Sequence, residues 1–581
     1  NGTFGNAIAS GGLVNTIAAG TNTLSGAITG AGALTQSGTG TTILTNASGN
    51  TYSGGTTVSS GTLQIGDAGN AGSIGGQNRG SGLGTTINVG TGGVLSIVKM
   101  GGFSSFSDFA GFGGKVIDAS IVNNLGGSGT VVFNSEGNVG VGGAINDGAG
   151  SLAVTKNGTG VALLYGSNNT YSGETAVNAG TLFIFSATAL GSTAGATNVA
   201  EGATLDLFRQ NVVGEALSIA GTGDVGNGQI AALTNGASAA SWSGDLTLTG
   251  ATSIGGNAGD ITLGGAIGGG AQNLTKVGTN KLILTGASTY TGTTTVTAGE
   301  LRVNGSLADT AVTVQSGATL SGTGTLAGSV AIDSGGNLSA GNSPGTITVG
   351  SLTLANGSNS DFELNTAGVI GGGVNDLVNV TGDLTLDGNI NVTPLGGFTS
   401  GSYRLFNYGG ALTVTGLPTT GGAAGNQITG VGAGFNSLVA LLPNQVNLLV
   451  LADGIGPVQT WDGPGPAGNA TADGGSGNWD NFTANWTGVA GADPNASWQN
   501  GTAVFNAPNG TVTITDTVNA QGLIFGSSGY VIDGGTLNLV GQNPAVPGVP
   551  FISVTNAGDT ATINAQITNS VDGFPVYTNG L

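Results

Sequence analysis

The sequence predicts an all-β chain wound into a solenoid, a parallel β-helix with almost no helix, and three observations carry that prediction. The first is repetition: NTYSGGTTVSSGTL at 50–63 returns as NTYSGETAVNAGTL at 169–182 and as STYTGTTTVTAGEL at 288–301. Tyr52, Tyr171 and Tyr290 fall at one interval of 119 residues, and self-similarity at a fixed period is the signature of repeat architectures. The second is alternation. Short β-branched runs such as TTILT, TTVS and TLQI set Thr56 and Val58 on one face and Leu63 and Ile65 on another, the period of two of half-buried strands. The third is glycine, 118 of 581 residues, which gathers with Asn and Ser between the runs where the chain must turn. No stretch carries a 3.6-residue apolar stripe.

Strands this short could build a sandwich, a propeller or a solenoid, and the homogeneous long-range repetition favours the solenoid. Each coil of about 20–25 residues would contribute three short strands and rise by about 4.8 Å. Inward Val, Ile and Leu would form columns, and outward Thr, Ser and Asn would form ladders. The upstream context repeats as well, as LSGAITGAGALTQ (24–36), VGGAINDGAGSLAVTK (141–156) and LGGAIGGGAQNLTK (263–276), so each unit holds several matched coils. The interval 67–140 diverges most. Its FSSFSDFAGFGG (103–114) holds four of the 18 phenylalanines and predicts an inserted loop or a lateral apolar flap.

Composition removes whole classes of function. Nine Lys+Arg against 29 Asp+Glu give a net charge of −20, so neither nucleic acid nor an anionic membrane is an expected partner. The acidity keeps an otherwise bland surface soluble. Histidine and cysteine are both absent, which excludes Ser-His-Asp and Cys-His nucleophiles, disulfides and imidazole switches, and leaves no donor set for zinc. Charged residues are only 7% while apolar ones reach 38%, the reverse of a disordered acidic chain. Glycine-rich phosphate loops need strand–helix units that are not present here. The opening NGTFGNAIAS lacks a basic and then apolar leader, which suggests a processed piece of something larger. The apolar run SLVALLPNQVNLLVLA (437–452) is broken by Pro443, Asn444, Gln445 and Asn447; it is too short and too polar to insert in a bilayer.

The phrase LTKVGTNKLILTGASTYTGTTTVTAGEL (274–301) resembles the autotransporter-associated β-strand repeat of passenger regions in Gram-negative bacteria. SAGNSPGTITVGSLTL (339–354) with NDLVNVTGDLTLDGNINVTPLGGF (375–398) resembles the closing part of such passengers. TWDG (460–463), GNWDNFTANW (477–486) and AVFN (503–506) resemble their opening part. The resemblance implies a right-handed parallel β-helix outside the cell. It divides the chain into a main solenoid with three repeat units (1–330), a closing-like segment (331–451) and a Trp-rich opening-like segment that starts a further solenoid (452–581). Two departures stand out: the opening-like segment follows the closing-like one, and VDGFPVYTNGL at the C-terminus is no run of barrel strands.

Candidate sites are few. Trp461, Trp479, Trp486 and Trp498 lie within 38 residues and either stack on sugar rings or fill a compact junction. GGGVNDLVN (371–379) approaches a calcium-binding nonapeptide but has Val374 where glycine is needed and no tandem copy, so it reads as a structural turn. Polysaccharide chemistry needs paired carboxylates, or a carboxylate-bound calcium with a basic residue. The six glutamates are scattered, and the best local set is Asp206 with Arg209 in ATLDLFRQN. No catalytic, cofactor or metal residue is assigned. The sequence thus predicts a non-enzymatic structural protein, a surface solenoid building a fibre or array by head-to-tail or lateral self-association. The alternatives are an adhesin that holds glycans or matrix through its Trp- or Phe-rich segments, and a polysaccharide-active enzyme.

Overall fold

In the computed structural model the repeated phrases become stacked coils. It describes all residues except 1, 10, 47–48, 75–85, 99–114, 118, 400, 417–426, 433–434, 443, 453–457, 465–471, 488–494, 507, 541–550, 555–558, 570–576 and 580–581. The Phe-rich stretch lies outside the described residues. The chain divides into two units: Asn1–Thr313 with Gly317–Leu320, and Val314–Ser316 with Ser321–Leu581.

In the first unit, β-branched residues, whose stiff side chains favour a pleated strand, stack as parallel ladders. Thr21 lies opposite Thr41, which lies opposite Thr62, so one coil takes about 20 residues. On another side of the coil six strands stack in order from Ile145–Asp147 to Leu13–Asn15, with Leu34, Thr56, Ile87, Ile121 and Ile145 in one register column. All five are buried. Where sequence is inserted the coil lengthens without losing register: Val94 pairs with Thr130 across the interval that contains 99–114. Among the described residues the one helical element is a three-residue 3-10 turn, Val225–Asn227.

The recurring phrase can now be read atom by atom. Asn50 accepts the N–H of Ile28 at 2.8 Å and donates to Ser73 O at 2.8 Å; Asn169 does the same toward Ile145 and Ala189 at 2.9 and 2.8 Å. Each amide thus ties three successive coils. Tyr52, Tyr171 and Tyr290 are at most 1% exposed, and their hydroxyls meet Thr56, Thr175 and Thr294 at 2.8, 2.6 and 2.6 Å. Burial pushes the Tyr290 phenol up to about 12 and that of Tyr171 higher still. The glycine of the closing G-T-L or G-E-L is Gly61, Gly180 or Gly299, with φ of 66°, 70° and 65°. A methyl group there would lie 2.2, 2.4 and 2.4 Å from a carbonyl oxygen of the neighbouring coil. Conformation and space both demand glycine.

The second unit keeps the parallel pairing, with Thr325–Ile332 against Thr346–Leu354 and Asn337–Ala340 against Asn359–Leu364. An outward amide ladder runs through it: Asn359 donates to Asn337 at 2.9 Å and Asn389 to Asn359 at 3.0 Å. The parallel stacking then stops. Gln445–Ala452 pairs antiparallel with both Gly401–Tyr408 and Phe435–Leu442, so the apolar run 437–452 is a hairpin turned at Asn444 (φ 61°). Among the described residues no helix is long and apolar enough to cross a membrane. Parallel pairing resumes in the Trp-rich segment, where Val458–Trp461, Thr502–Phe505, Gly522–Phe525 and Phe551–Val554 stack in turn.

Gly180→Ala is expected to lower stability by more than about 1 kcal/mol, and by more than Gly202→Ala, whose methyl would meet open space at a similar φ of 78°. Tyr171→Phe, which strands the buried Thr175 hydroxyl, should cost about 1–3 kcal/mol. Urea unfolding of the three variants checks both; equal losses for the two glycines would refute the crowding argument.

Candidate functional site

Aligning the three copies separates what the coil needs from what it does not. Within VALLY (161–165) the residues Ala162 and Leu164 face the core, opposite Leu182 and Ile184 on the next coil. Leu282 and Leu284 take those places in the third copy, opposite Leu301 and Val303. The outward positions differ in kind. In the third copy they carry Lys281, Glu300 and Arg302, with Glu300 held by Lys281 at 2.9 Å and by Arg302 at 2.8 Å. The first copy has Thr41, Ile43, Thr45, Gln64 and Gly66 there, and the third also has Ile283, Thr285 and Asn304. The second copy has Val161, Leu163, Tyr165, Phe183 and Phe185.

These aromatics form a ladder across coils. Tyr165 stacks under Phe185 with centroids 4.3 Å apart, and Phe185 meets Phe208 of the following coil at 4.6 Å. Phe183 approaches Phe208 edge-on at 6.2 Å. Val161, Leu163 and Phe183 are buried beneath, while Tyr165, Phe185 and Phe208 are half-buried. The loop after Gly221 crosses the same outer face: Asp224 accepts the Thr181 hydroxyl at 2.9 Å, and Asn227 donates to Thr159 O at 2.6 Å.

Phe208 and Arg209 are consecutive non-glycine residues at positive φ, 38° and 65°, in a region that costs about 1–3 kcal/mol per residue. Two buried side chains hold them there. Asp206 accepts the N–H groups of Phe208 and Gly236 at 2.8 and 3.0 Å, and Asn235 accepts that of Arg209 at 2.9 Å. Burial raises the Asp206 carboxyl above the usual range against these two amides. The corner turns the exposed Arg209 guanidinium over the Phe208 ring, 5.5 Å from its centroid. This corrects the sequence-based pairing of Asp206 with Arg209 as an acid and base: the carboxylate is 2% exposed and engaged by backbone, so it is a clamp.

The four tryptophans also resolve. Trp461, Trp479 and Trp486 are fully buried and Trp498 is 3% exposed. Trp486 packs on Trp498 at 4.4 Å, on Trp479 at 5.0 Å and on Trp461 at 5.1 Å, with Phe505 beside them. Trp461 and Trp498 donate to Gly475 O and Asn519 O at 3.0 and 2.6 Å. They offer no face to a sugar, so the stacking platform expected at these positions is replaced by the compact junction. In GGGVNDLVN, Asn375 accepts the Asn365 N–H at 2.6 Å and donates to Val369 O at 2.7 Å. Asp376 accepts from Gly345 and Glu363 at 2.7 Å each, and burial pushes it up to about 7. Both residues hold a turn together.

Sequence reasoning missed one repeated element, the buried cation. Lys156 and Lys276 are at most 1% exposed. Lys276 donates to Val277, Gly278 and Ala298 carbonyls at 2.9, 2.8 and 3.1 Å; Lys156 donates to Gly158 and, at 2.9 Å, to Ala179. Gln36 fills the place in the first copy, reaching Gly38 O at 2.7 Å and Gly40 O at 3.1 Å. Burial lowers both lysines to about 8, opposed by Asp224 near Lys156 and by Asp260 and Glu300 near Lys276. The signal was the shared L/V-T-K/Q-x-G, a polar residue at an inward register position.

Residues 34–65, 154–182 and 274–303 match the family model of the passenger-associated-transport-repeat. They cover the three phrases with their Tyr–Thr pair, buried Lys or Gln and left-handed glycine. The chain carries autotransporter passenger repeats. It is similar to the adhesin BmaC autotransporter of Brucella suis biovar 1 (strain 1330), 32% identical over 322 residues that make up 52% of this chain and 9% of that relative. The chain thus spans a small part of the relative's length. Passenger repeats place it at the bacterial surface or beyond.

A pH series tests the buried lysines. Unfolded lysine gives up its proton near 10.5 and these near 8, so between those values the unfolded chain holds more protons and stability rises with pH, falling again as pH drops through 8. The urea midpoint should increase from pH 7.5 to about 9.5, below the range where unfolded tyrosines ionise. Lys156→Met with Lys276→Met should flatten that rise; a natural chain with no rise would contradict the assignment.

Proposed function

We propose that this chain is a non-enzymatic passenger segment acting as an adhesin, a stack of coils that displays ligand-binding side chains on its outer face. The observation that carries the reading is the divergence of the outward face, aromatic in the second repeat and charged or neutral in the others, over inward positions that keep their register. The adhesin name of the relative supports it. The ligand is a surface component, a glycan or a matrix molecule, and no cofactor is required. A polysaccharide-active enzyme loses its named pair, because Asp206 is engaged by backbone.

A second reading keeps the chain as building material, a fibre or surface array formed by head-to-tail or lateral association. Its support is the order of segments: parallel stacking ends at the 435–452 hairpin, and new parallel sheets start beyond it. On that reading the three segments 1–330, 331–451 and 452–581 are the functional division, the last beginning a further stack, and copies associate end to end or side by side.

Purified chain applied to epithelial monolayers and matrix-coated wells should bind saturably. Tyr165→Ala with Phe208→Ala should weaken that binding at least tenfold while the chain keeps a cooperative urea transition. Electron microscopy at rising concentration separates the second reading: filaments or sheets support assembly, and single particles at every concentration refute it.

A further inference from the structure

We propose that the Tyr165–Phe185–Phe208 ladder, with the polar corners beside it, binds a linear, uncharged polysaccharide laid along the coil axis. The inference rests on the adhesin reading and names its ligand. The three rings stand on three successive coils, which rise by about 4.8 Å each, close to the length of one sugar ring in an extended chain. One pyranose per coil is therefore a natural register. Each ring stands just beyond its strand and is followed by a polar corner: Asn168 three residues after Tyr165, Ser186 next to Phe185 and Arg209 next to Phe208. The first two corners are tied together, since Thr188 bonds to both Asn168 N–H at 2.9 Å and Ser186 at 3.1 Å. An apolar column flanked by hydroxyl, amide and guanidinium groups suits a sugar, whose ring face is apolar and whose rim is hydroxylated.

Four further observations favour this occupant. The ladder is not needed for winding: in place of Tyr165 and Phe185 the first copy has Thr45 and Gly66 and the third has Thr285 and Asn304, over coils that keep the same pairing. The corner that presents Phe208 and Arg209 holds two residues in a costly conformation, and such conformations persist where surrounding groups enforce them and cluster at binding sites. The net charge of −20 repels an anionic glycan and equally a second copy of this chain, but is indifferent to a neutral one. The exposed Val225, at 73%, extends the apolar surface on the loop that crosses this face.

Calorimetry with the full chain and cello- and chito-oligosaccharides of two to six units provides the test, with hexagalacturonate as the anionic comparison. The expected result is affinity that climbs from the dimer to the trimer or tetramer, then levels, with no dependence on salt. Tyr165→Ala and Phe208→Ala should each lose at least tenfold, as should the exposed variant Arg209→Ala, which leaves the core untouched. Hexagalacturonate should bind at least tenfold more weakly. Four outcomes would overturn the proposal. Failure of the neutral oligosaccharides to bind, while the chain still adheres to matrix-coated wells, removes this ligand and leaves the adhesin reading standing. Failure of both removes that reading as well. Undiminished sugar binding in all three variants would move the site elsewhere. Concentration-dependent self-association of the natural chain, abolished by Phe208→Ala, would make the ladder a contact between copies.

Discussion

The structure depends on one constraint: each coil must offer its backbone N–H and C=O groups to the coil above and below at the same positions. Parallel strands joined in this way cannot shift by one residue without turning every side chain to the opposite face. Repetition in the sequence is the chemical trace of that rule. Thr21, Thr41 and Thr62 stand in one line because their backbones must. The same demand explains why one glycine recurs in all three copies. Where a coil turns its corner against the carbonyl oxygens of its neighbour, neither the φ angle nor the space admits a β-carbon.

Inside the coils of the three repeats, the recurring polar side chains are engaged by hydrogen bonds. The tyrosine hydroxyl has its threonine, the bridging asparagine its two coils, and the buried ammonium a set of turn carbonyls. In a chain without disulfides or metal-binding imidazoles these bonds do the specifying that apolar packing alone leaves loose. The cation could be read as a liability, given the cost of burying charge. Its repetition, with Gln36 as the uncharged counterpart, marks it as the device that gathers the carbonyls of the turn.

Much of this was legible in the letters. Period, alternation and turn composition led to the parallel solenoid, because each reports local geometry that the coil simply multiplies. The hairpin at 435–452 was less legible: an apolar run around Pro443-Asn444 declares its interruption but not whether its halves pair with each other or with neighbours. The tryptophans were visible as a cluster, yet burial depends on residues such as Phe505 that pair across the sheet from beyond the motif. The aromatic ladder stayed hidden because Tyr165, Phe185 and Phe208 are 20 and 23 positions apart and belong to no shared word. Only the coil register brings them together. Asp206 and Arg209 were noticed for their charge, whereas the role the fold gives Asp206 lies in its bonds to main-chain amides.

The lengthened coil between Val94 and Thr130 has an evolutionary consequence. A corner tolerates an added passage of many residues, since the strands before and after it still meet in line, whereas one extra residue within a strand would misalign everything beyond. Genes for such chains should therefore grow and shrink by whole turns or by corner insertions, and almost never by single codons within the ladders. Length becomes a variable the lineage can adjust freely, while spacing stays fixed.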